Sequence, residues 1–512
     1  MKTHPLRFAS FLLLLPCGAL ARPATIKIDV DHVIDAVDPR IYGIFMEPIG
    51  FNRADLKFNT LYGPVYDPKS PLADENGFRK DMIEAARELQ LTNMRWPGGN
   101  FTGNYDWRDG IGPKDKRPKR LELAWGVVES NQVGTDEWVQ LNQAIGSENV
   151  VCINMGTGTL DDARYWVEYC NTPGGTYWAD QRAANGHPEP YGIKYWCLGN
   201  EVDGAPWIIG YKNAEDYIKF AVEAAKAMRR SSPGTRLEFI ANGSSNYKDN
   251  LDWVEWNWKV IKALHGIAGY ISIHRYWDRS DDYYTFVGQR GMDLEEKIEI
   301  TAGQIKAVAD VAKKPPMYIS FDEWAPPPRT GHLSTLAIAQ FFNAFIRHAD
   351  VVKMANFTLL TSILGRDPKT NATYKSPVFH TFKLFSTRCR GASVATFANC
   401  DTFRTTDYYP HIPYLDVSAV YDQQAKQVVI NIVNRHKDEA IATDIQSTAG
   451  TFAGPATVSL ITSDDLTNQP YTYEARDAYA PKSEQVPTNG ATIHYVFPAH
   501  SFTQIVVGVE RK

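Results

Sequence analysis

Between about residue 41 and residue 385, short apolar runs of strand length alternate with longer amphipathic patterns, and the alternation repeats eight times. The strand-like runs lie at Ile41-Phe45, Thr92-Trp96, Val150-Met155, Ile193-Leu198, Leu237-Ala241, Tyr270-His274, Met317-Phe321 and Val352-Phe357. Between several of them apolar residues recur at three- and four-residue spacing, as over Ala214-Arg230, Leu294-Ala312 and Ser334-His348, and this predicts helices. Consecutive parallel strands each need a crossover, and eight such units in series close into a barrel whose site is built at the C-terminal ends of the strands. The expectation is an α/β fold with a (β/α)8 TIM barrel over 41–385.

Beyond about Phe385 the helical period fades. Alternating runs at Gln427-Val433, Thr457-Ile461 and Thr492-Val496, separated by polar and Pro-containing turns, predict a C-terminal β-sandwich, jelly-roll-like, over 386–512. Thr25-Val30 alternates in the same way, so residues 22–40 are expected to join that sandwich as a strand segment. A chain of 512 residues is long enough to bury both cores.

A formal net charge of -5 supplies no basic field, which excludes nucleic acid and an anionic membrane as partners and leaves a neutral one. The 13 Trp and 26 Tyr suit stacking on sugar faces, although large cores also collect aromatics. At the N-terminus Lys2 and Arg7 precede the apolar run Phe8-Leu15, and Ala19-Leu20-Ala21 offers small residues for cleavage, so residues 1–21 read as a signal peptide and the protein as secreted. That run is too short to span a bilayer. Removing it leaves Cys152, Cys170, Cys197, Cys389 and Cys400. Cys389 and Cys400 are close enough in sequence to pair in an oxidising compartment, whereas Cys152 and Cys197 sit in apolar runs and read as buried thiols; no zinc spacing appears. Sequons stand at Asn100, Asn242, Asn356 and Asn371, of which only Asn371 lies in a loop-like stretch.

Polar groups gather at the ends of the expected strands: Glu47, Arg95 with Asn100, Asn200-Glu201, His274 with Tyr276, and Glu323. A barrel brings all of them to one mouth. Buried carboxylates are costly unless paired or used, and two Glu at the ends of apolar strands, each open alone to reading as a rim salt bridge, together are what glycoside hydrolysis requires. One protonates the leaving oxygen and the other captures the oxocarbenium-like centre, with net retention when they stand ~5–5.5 Å apart. Arg95 has two open readings, a partner for a catalytic carboxylate or a barrel-floor ion pair.

The chain resembles the α-L-arabinofuranosidases of glycoside hydrolase family 51. The likeness rests on Met94-Arg95-Trp96-Pro97-Gly98-Gly99-Asn100-Phe101, Leu123-Ala124-Trp125, Gly156-Thr157-Gly158-Thr159, Asn185-Gly186-His187-Pro188-Glu189-Pro190-Tyr191, Lys194-Tyr195-Trp196-Cys197-Leu198-Gly199-Asn200-Glu201, Ser272-Ile273-His274-Arg275-Tyr276, Ser320-Phe321-Asp322-Glu323-Trp324 and Asn343-Ala344-Phe345-Ile346-Arg347-His348-Ala349-Asp350. It implies Glu201 as acid/base and Glu323 as nucleophile, with Glu47, Asn100 and Asn200 on sugar hydroxyls. It also implies His274 and Tyr276 orienting the carboxylates, Tyr276 by donating to Glu323, and Trp125 lining the glycone pocket. No metal or organic cofactor is implied; the partner is a furanosyl-containing polysaccharide or oligosaccharide, and a homo-oligomer is in keeping with the family. The chain departs from the family pattern at Pro48, where His usually follows the Glu, in the run Trp324-Ala325-Pro326-Pro327-Pro328, and near Leu359, where a Gln is usual. Because these positions surround the expected glycone pocket, a β-D-galactofuranosidase of the same mechanism is the alternative activity. A non-catalytic carbohydrate-binding protein on the same scaffold is the alternative class.

Overall fold

The computed structural model describes residues 24–52, 57–204, 208–245, 252–278, 280–326, 331–367, 369–466 and 471–511. The expected signal peptide with Cys17, and Pro327 and Pro328 of the run that departs from the family pattern, lie outside the described residues.

The first strand, β1 (Ala24–Ala36), is followed by eight that close a barrel. They are β2 (Gly43–Phe45), β3 (Asn93–Trp96), β4 (Glu148–Cys152), β5 (Tyr195–Leu198), β6 (Glu238–Ala241), β7 (Tyr270–Tyr276), β8 (Tyr318–Ala325) and β9 (Val352–Thr358). Each pairs in parallel with the next, and β9 returns to β2. All eight expected runs became barrel strands. The helix Ala214–Arg230 spans its expected residues, while the two others run Arg290–Ala312 and His332–Arg347.

Inside the barrel Val150, Cys152, Tyr195, Cys197, Ile240, Tyr270 and Met354 form one closed apolar cluster. It fills much of the lower half, beside the buried Asn93–Asn356 amide pair, and the charged groups gather nearer the C-terminal mouth. Outward-facing Trp96 and Trp196 meet Trp166 of the helix Leu160–Asn171 edge to face, between strands and helices.

The remaining long strands are β10 (Ala392–Asn399), β11 (Leu415–Asp422), β12 (Gln427–Asn434), β13 (Ile441–Ser447), β14 (Thr451–Ile461), β15 (Lys482–Val486), β16 (Thr492–Phe497) and β17 (Ser501–Glu510). With β1 they form one nine-stranded sheet in the order β15-β14-β17-β12-β11-β10-β1-β13-β16. β1 runs antiparallel to β10 and parallel to β13, and it bends at two register shifts after Asp29. β14 shifts register between Ala453 and Thr457. These breaks fold the sheet over: β14 and β16, seven places apart in strand order, come into contact, and the Phe452 N–H donates to the Gly490 carbonyl at 2.9 Å.

β12 shows how the two units join. Val428, Ile430 and Ile432 enter the core of the folded sheet, whereas Val429 and Val433 enter the barrel's core. The strand is therefore apolar on both faces rather than alternating. The helix His332–Arg347 lies between, with every residue from His332 to Ile346 buried.

Cys389 and Cys400 do not pair. Cys389 belongs to the barrel-side core, its Sγ 3.4 Å from the Asn431 side-chain nitrogen, whereas Cys400 packs against the sheet's own core and accepts the Leu415 N–H at 3.4 Å. Eleven residues of separation suffice for a bond only when both side chains leave the strand on one side. Cys152 and Cys197 are buried thiols, paired in register across β4 and β5.

Candidate active site

At the mouth, β8 breaks the alternation of a regular strand. Where β7 takes two steps from Ser272 to His274, β8 takes three from Ser320 to Glu323, and it does the same against β9 between Phe321 and Trp324. This β-bulge turns the neighbours Asp322 and Glu323 both into the barrel, while Phe321 and Trp324 face outward onto Phe345.

On the facing side, β5 is followed by Gly199, whose φ of +94° and close fit to Met155 suit glycine alone. Two residues on, Glu201 is itself left-handed at φ +45°, a conformation that costs a non-glycine residue on the order of 1 kcal/mol or more. The turn is pinned from behind: the Val202 N–H donates to the Asn242 side-chain oxygen at 3.3 Å, and Asn242 donates to Asp203 at 3.1 Å.

His274 of β7 ties the two sides together. Its Nδ1 lies 3.0 Å from Glu201 Oε1 and 3.6 Å from Glu323 Oε2, and its Nε2 3.3 Å from Asp322 Oδ1. Arg95, fully buried on β3, donates to Glu323 at 3.2 Å and to the Asn200 side-chain oxygen at 2.6 Å, and pairs with Asp322 at 3.2 Å. The Tyr276 hydroxyl donates to Glu323 Oε1 at 2.6 Å and lies 3.0 Å from Thr358 Oγ1. Asn200 reaches Asn100 at 3.4 Å.

Glu47 follows β2. One of its oxygens accepts the Phe101 N–H at 2.8 Å and the Trp125 indole N–H at 3.0 Å. The Gly98-Gly99 pair makes its cradle, since a Cβ at Gly99 would stand 2.0 Å from Glu47 Oε2. Six of the eight site candidates, Asn100, Asn200, Glu201, His274, Tyr276 and Glu323, thus connect through Arg95 and His274, while Glu47 and Trp125 form a second pair held next to Asn100 by the Phe101 N–H.

Electrostatics follow from burial and from the count of charges. Burial draws the His274 imidazole down, but Glu323, Asp322 and Glu201 outweigh it and hold the ring well above its usual range, so it is an imidazolium. Burial raises Asp322 and is overcome by Arg95 and His274, leaving it at about 2. Glu47 is pushed up to about 8 by burial and then by the Glu323 charge, against its two N–H donors. Burial also lifts Glu323, aided by Glu201 and opposed by His274, Arg95 and the Tyr276 hydroxyl. Four carboxyls, Glu47, Glu201, Asp322 and Glu323, therefore face the two cations Arg95 and His274, and burial makes that excess of acidic groups costly.

Glu201, His274 and Glu323 also bring one donor atom each to within 4.8 Å of one another, a spacing that fits a cation. Against that use, both ring nitrogens of His274 already face carboxylates, Nδ1 Glu201 at 3.0 Å and Nε2 Asp322 at 3.3 Å, and the Arg95 guanidinium at 3.2 Å supplies a counter-charge to Glu323.

Two family models match, "Alpha-L-arabinofuranosidase 1 domain" over residues 85–286 and "Alpha-L-arabinofuranosidase C-terminal domain" over residues 329–501. The intracellular exo-α-(1→5)-L-arabinofuranosidase of Halalkalibacterium halodurans is 35% identical, the alignment covering 84% of this chain and 88% of that one. α-L-Arabinofuranosidase C of Emericella nidulans is 33% identical over 93% and 96% of the two chains. The chain belongs to the α-L-arabinofuranosidases of glycoside hydrolase family 51. Among solved members of family 51, the thermostable enzyme of Thermotoga petrophila superposes with a TM-score of 0.83 at 32% identity, over 94% of this chain and 100% of that one.

In this family 51 site, sequence reasoning missed Asp322, Ser272 and Thr358. Asp322 was hidden by the bulge, because strict alternation points a residue next to Glu323 away from the mouth. Ser272 donates to Asp322, and Cys197 Sγ lies 3.6 Å from the same carboxylate. Of the sequons, Asn242 and Asn356 are buried with their amide nitrogens committed to hydrogen bonds, whereas Asn371 is exposed.

Proposed function

We propose that this chain is an exo-acting, retaining hydrolase that releases terminal non-reducing α-L-arabinofuranosyl residues from arabinan- or arabinoxylan-type polysaccharides or oligosaccharides. The observation that carries the reading is the Glu201–Glu323 pair, with oxygens within 4.8 Å of one another across the barrel mouth. That gap admits a sugar carbon but not the attacking water that inverting enzymes hold between carboxyls ~6.5–9.5 Å apart. The names of the Halalkalibacterium and Emericella relatives support the arabinofuranosyl assignment.

In the proposed cycle Glu323 is the nucleophile. Its oxygens already take the Arg95 N–H and the Tyr276 O–H, donors that favour the anion, and the cycle gives the role of acid to Glu201. Glu201 protonates the leaving oxygen as Glu323 attacks the anomeric carbon and forms a glycosyl ester. Once that ester forms, the charge of Glu323 is consumed, and Glu201 is free to accept a proton from the incoming water. The His274 imidazolium between them stabilises whichever carboxylate is anionic. Asn200, oriented by Arg95, offers its amide N–H₂ to the hydroxyl beside the reacting carbon, and Glu47, Asn100 and Trp125 hold the rest of the ring.

Export belongs to the same proposal, supported by the leader at residues 1–21 and the exposed sequon at Asn371. The bacterial relative is named intracellular, and among the described residues no helix is long and apolar enough to cross a membrane. A homo-oligomer rests on the family resemblance and is read out by light scattering.

Time-resolved NMR with a panel of aryl furanosides tests the activity. The expected first-formed product is arabinofuranose of retained configuration. Preferential release of galactofuranose would replace the substrate, an inverted first product would remove the mechanism, and arabinan binding without sugar release would make the chain a binding protein.

A further inference from the structure

We infer that Glu122 is a positioning residue that sets the Trp125 indole against Glu47 and thereby tightens glycone binding; the inference rests on the pocket reading proposed above. Trp125 sits at the tip of a hairpin whose strands, Arg120–Leu121 and Val128–Glu129, have two residues each. So short a hairpin has little stability of its own. Apolar packing does not supply it either: Leu121, Leu123 and Val128 are exposed, and a cavity of about 300 Å³ lined in part by Phe101, Tyr105, Glu122 and Asn131 lies against the turn.

Polar bonds hold the tip instead. Glu122 folds back under the turn, only 2% exposed, and its two oxygens accept the consecutive backbone N–H groups of Ala124 at 2.7 Å and Trp125 at 2.6 Å. Its backbone closes the same turn, the Glu122 N–H donating to the Val127 carbonyl at 2.8 Å and the Gly126 N–H to the Glu122 carbonyl at 3.0 Å. A buried carboxylate with both oxygens on adjacent N–H groups fixes the backbone of Trp125, and with it the indole N–H that reaches Glu47 at 3.0 Å. Gln in its place turns an amide N–H₂ toward one of those two donors.

The test is a double-mutant cycle in steady-state kinetics on an aryl arabinofuranoside, with Glu122→Gln, Trp125→Phe and the double variant. Glu122→Gln is expected to raise KM about tenfold, the worth of one hydrogen bond, with kcat within about twofold. Trp125→Phe is expected to do the same, and the double variant to be no worse than Trp125→Phe alone, because Glu122 acts through the indole. Glu122→Asp, which keeps the charge on a shorter arm, is expected to give a smaller KM rise and serves where the Gln variant does not fold. Additive effects, a loss confined to kcat, or an unchanged KM in the Glu122 variants while Trp125→Phe is impaired would overturn the role of Glu122. An unchanged KM in Trp125→Phe would overturn the pocket reading beneath it.

Discussion

Two clusters of charged side chains lie inside this molecule, and they are tuned in opposite directions. Where the barrel meets the folded sheet, Arg347 pairs with Glu295 and with Asp416 at 3.0 Å, Arg435 reaches Asp416 at 3.1 Å, and His348 lies 2.6 Å from Glu295. Cations match or exceed anions there, and burial of Glu295 is overcome by Arg347 and His348, which leave it at about 2. At the barrel mouth carboxyls outnumber cations: Asp322 falls to about 2, but Glu47 rises to about 8 and Glu323 rises as well. A network that only holds structure settles its carboxylates into one protonation state. A site that must move protons keeps some of them balanced between two, at a cost in stability.

Removing either class of carboxyl should separate the two. Glu323→Ala is expected to lower kcat by at least about 10⁴-fold, the scale for losing a covalent nucleophile, with no azide rescue to the retained product. Glu201→Ala is expected to lose about 10²–10⁴-fold on natural linkages and much less on aryl glycosides with good leaving groups, where azide restores turnover. Equal and unrescued losses in both would contradict the division of labour.

The interface should answer in stability instead. Asp416→Ala leaves Arg347 and Arg435 without a shared partner and is expected to cost about 3–5 kcal/mol in chemical denaturation. KM for an aryl arabinofuranoside is expected to stay unchanged. A KM shift without a stability loss would mean that the two clusters are coupled.

Per pH unit the pH dependence is the smallest effect, and its sign differs between the clusters. Glu295 binds fewer protons folded than unfolded between about 2 and its ordinary 4.5, so its contribution to stability is present above that window and is lost on acidification through it. Glu47 binds more protons folded between 4.5 and about 8, so stability falls as pH rises through that window, by up to about 1.4 kcal/mol per pH unit. Glu47→Gln is expected to flatten the descending limb of denaturation midpoint against pH and to leave the acid limb in place. An unchanged profile would show that Glu47 is ionised throughout.

Much of this was legible in the sequence, for physical reasons that also mark where legibility stops. Period and run length located every barrel strand, because burial on both faces of a parallel sheet leaves short apolar runs such as Val150-Met155. Glu201 and Glu323 stood out because acidic residues rarely end such runs. Asp322 did not, since only the bulge in β8 turns it inward. Arg95 was ambiguous because a buried arginine on a strand has the same local pattern whether it serves the floor or the mouth. Glu122 bonds backbone two and three residues away and so leaves no periodic trace. The proximity of Cys389 and Cys400 in sequence misled because they leave their backbone toward different cores.

The central claim is that Glu323 carries the sugar between two displacements. Quenching a reaction with a slowly turned over fluorinated arabinofuranoside and mapping the protein by mass spectrometry addresses it directly. The expected result is one glycosyl adduct per chain, on the peptide containing Glu323, which disappears in Glu323→Ala. An adduct on another residue, or complete turnover with no covalent species under the same quench, would contradict it.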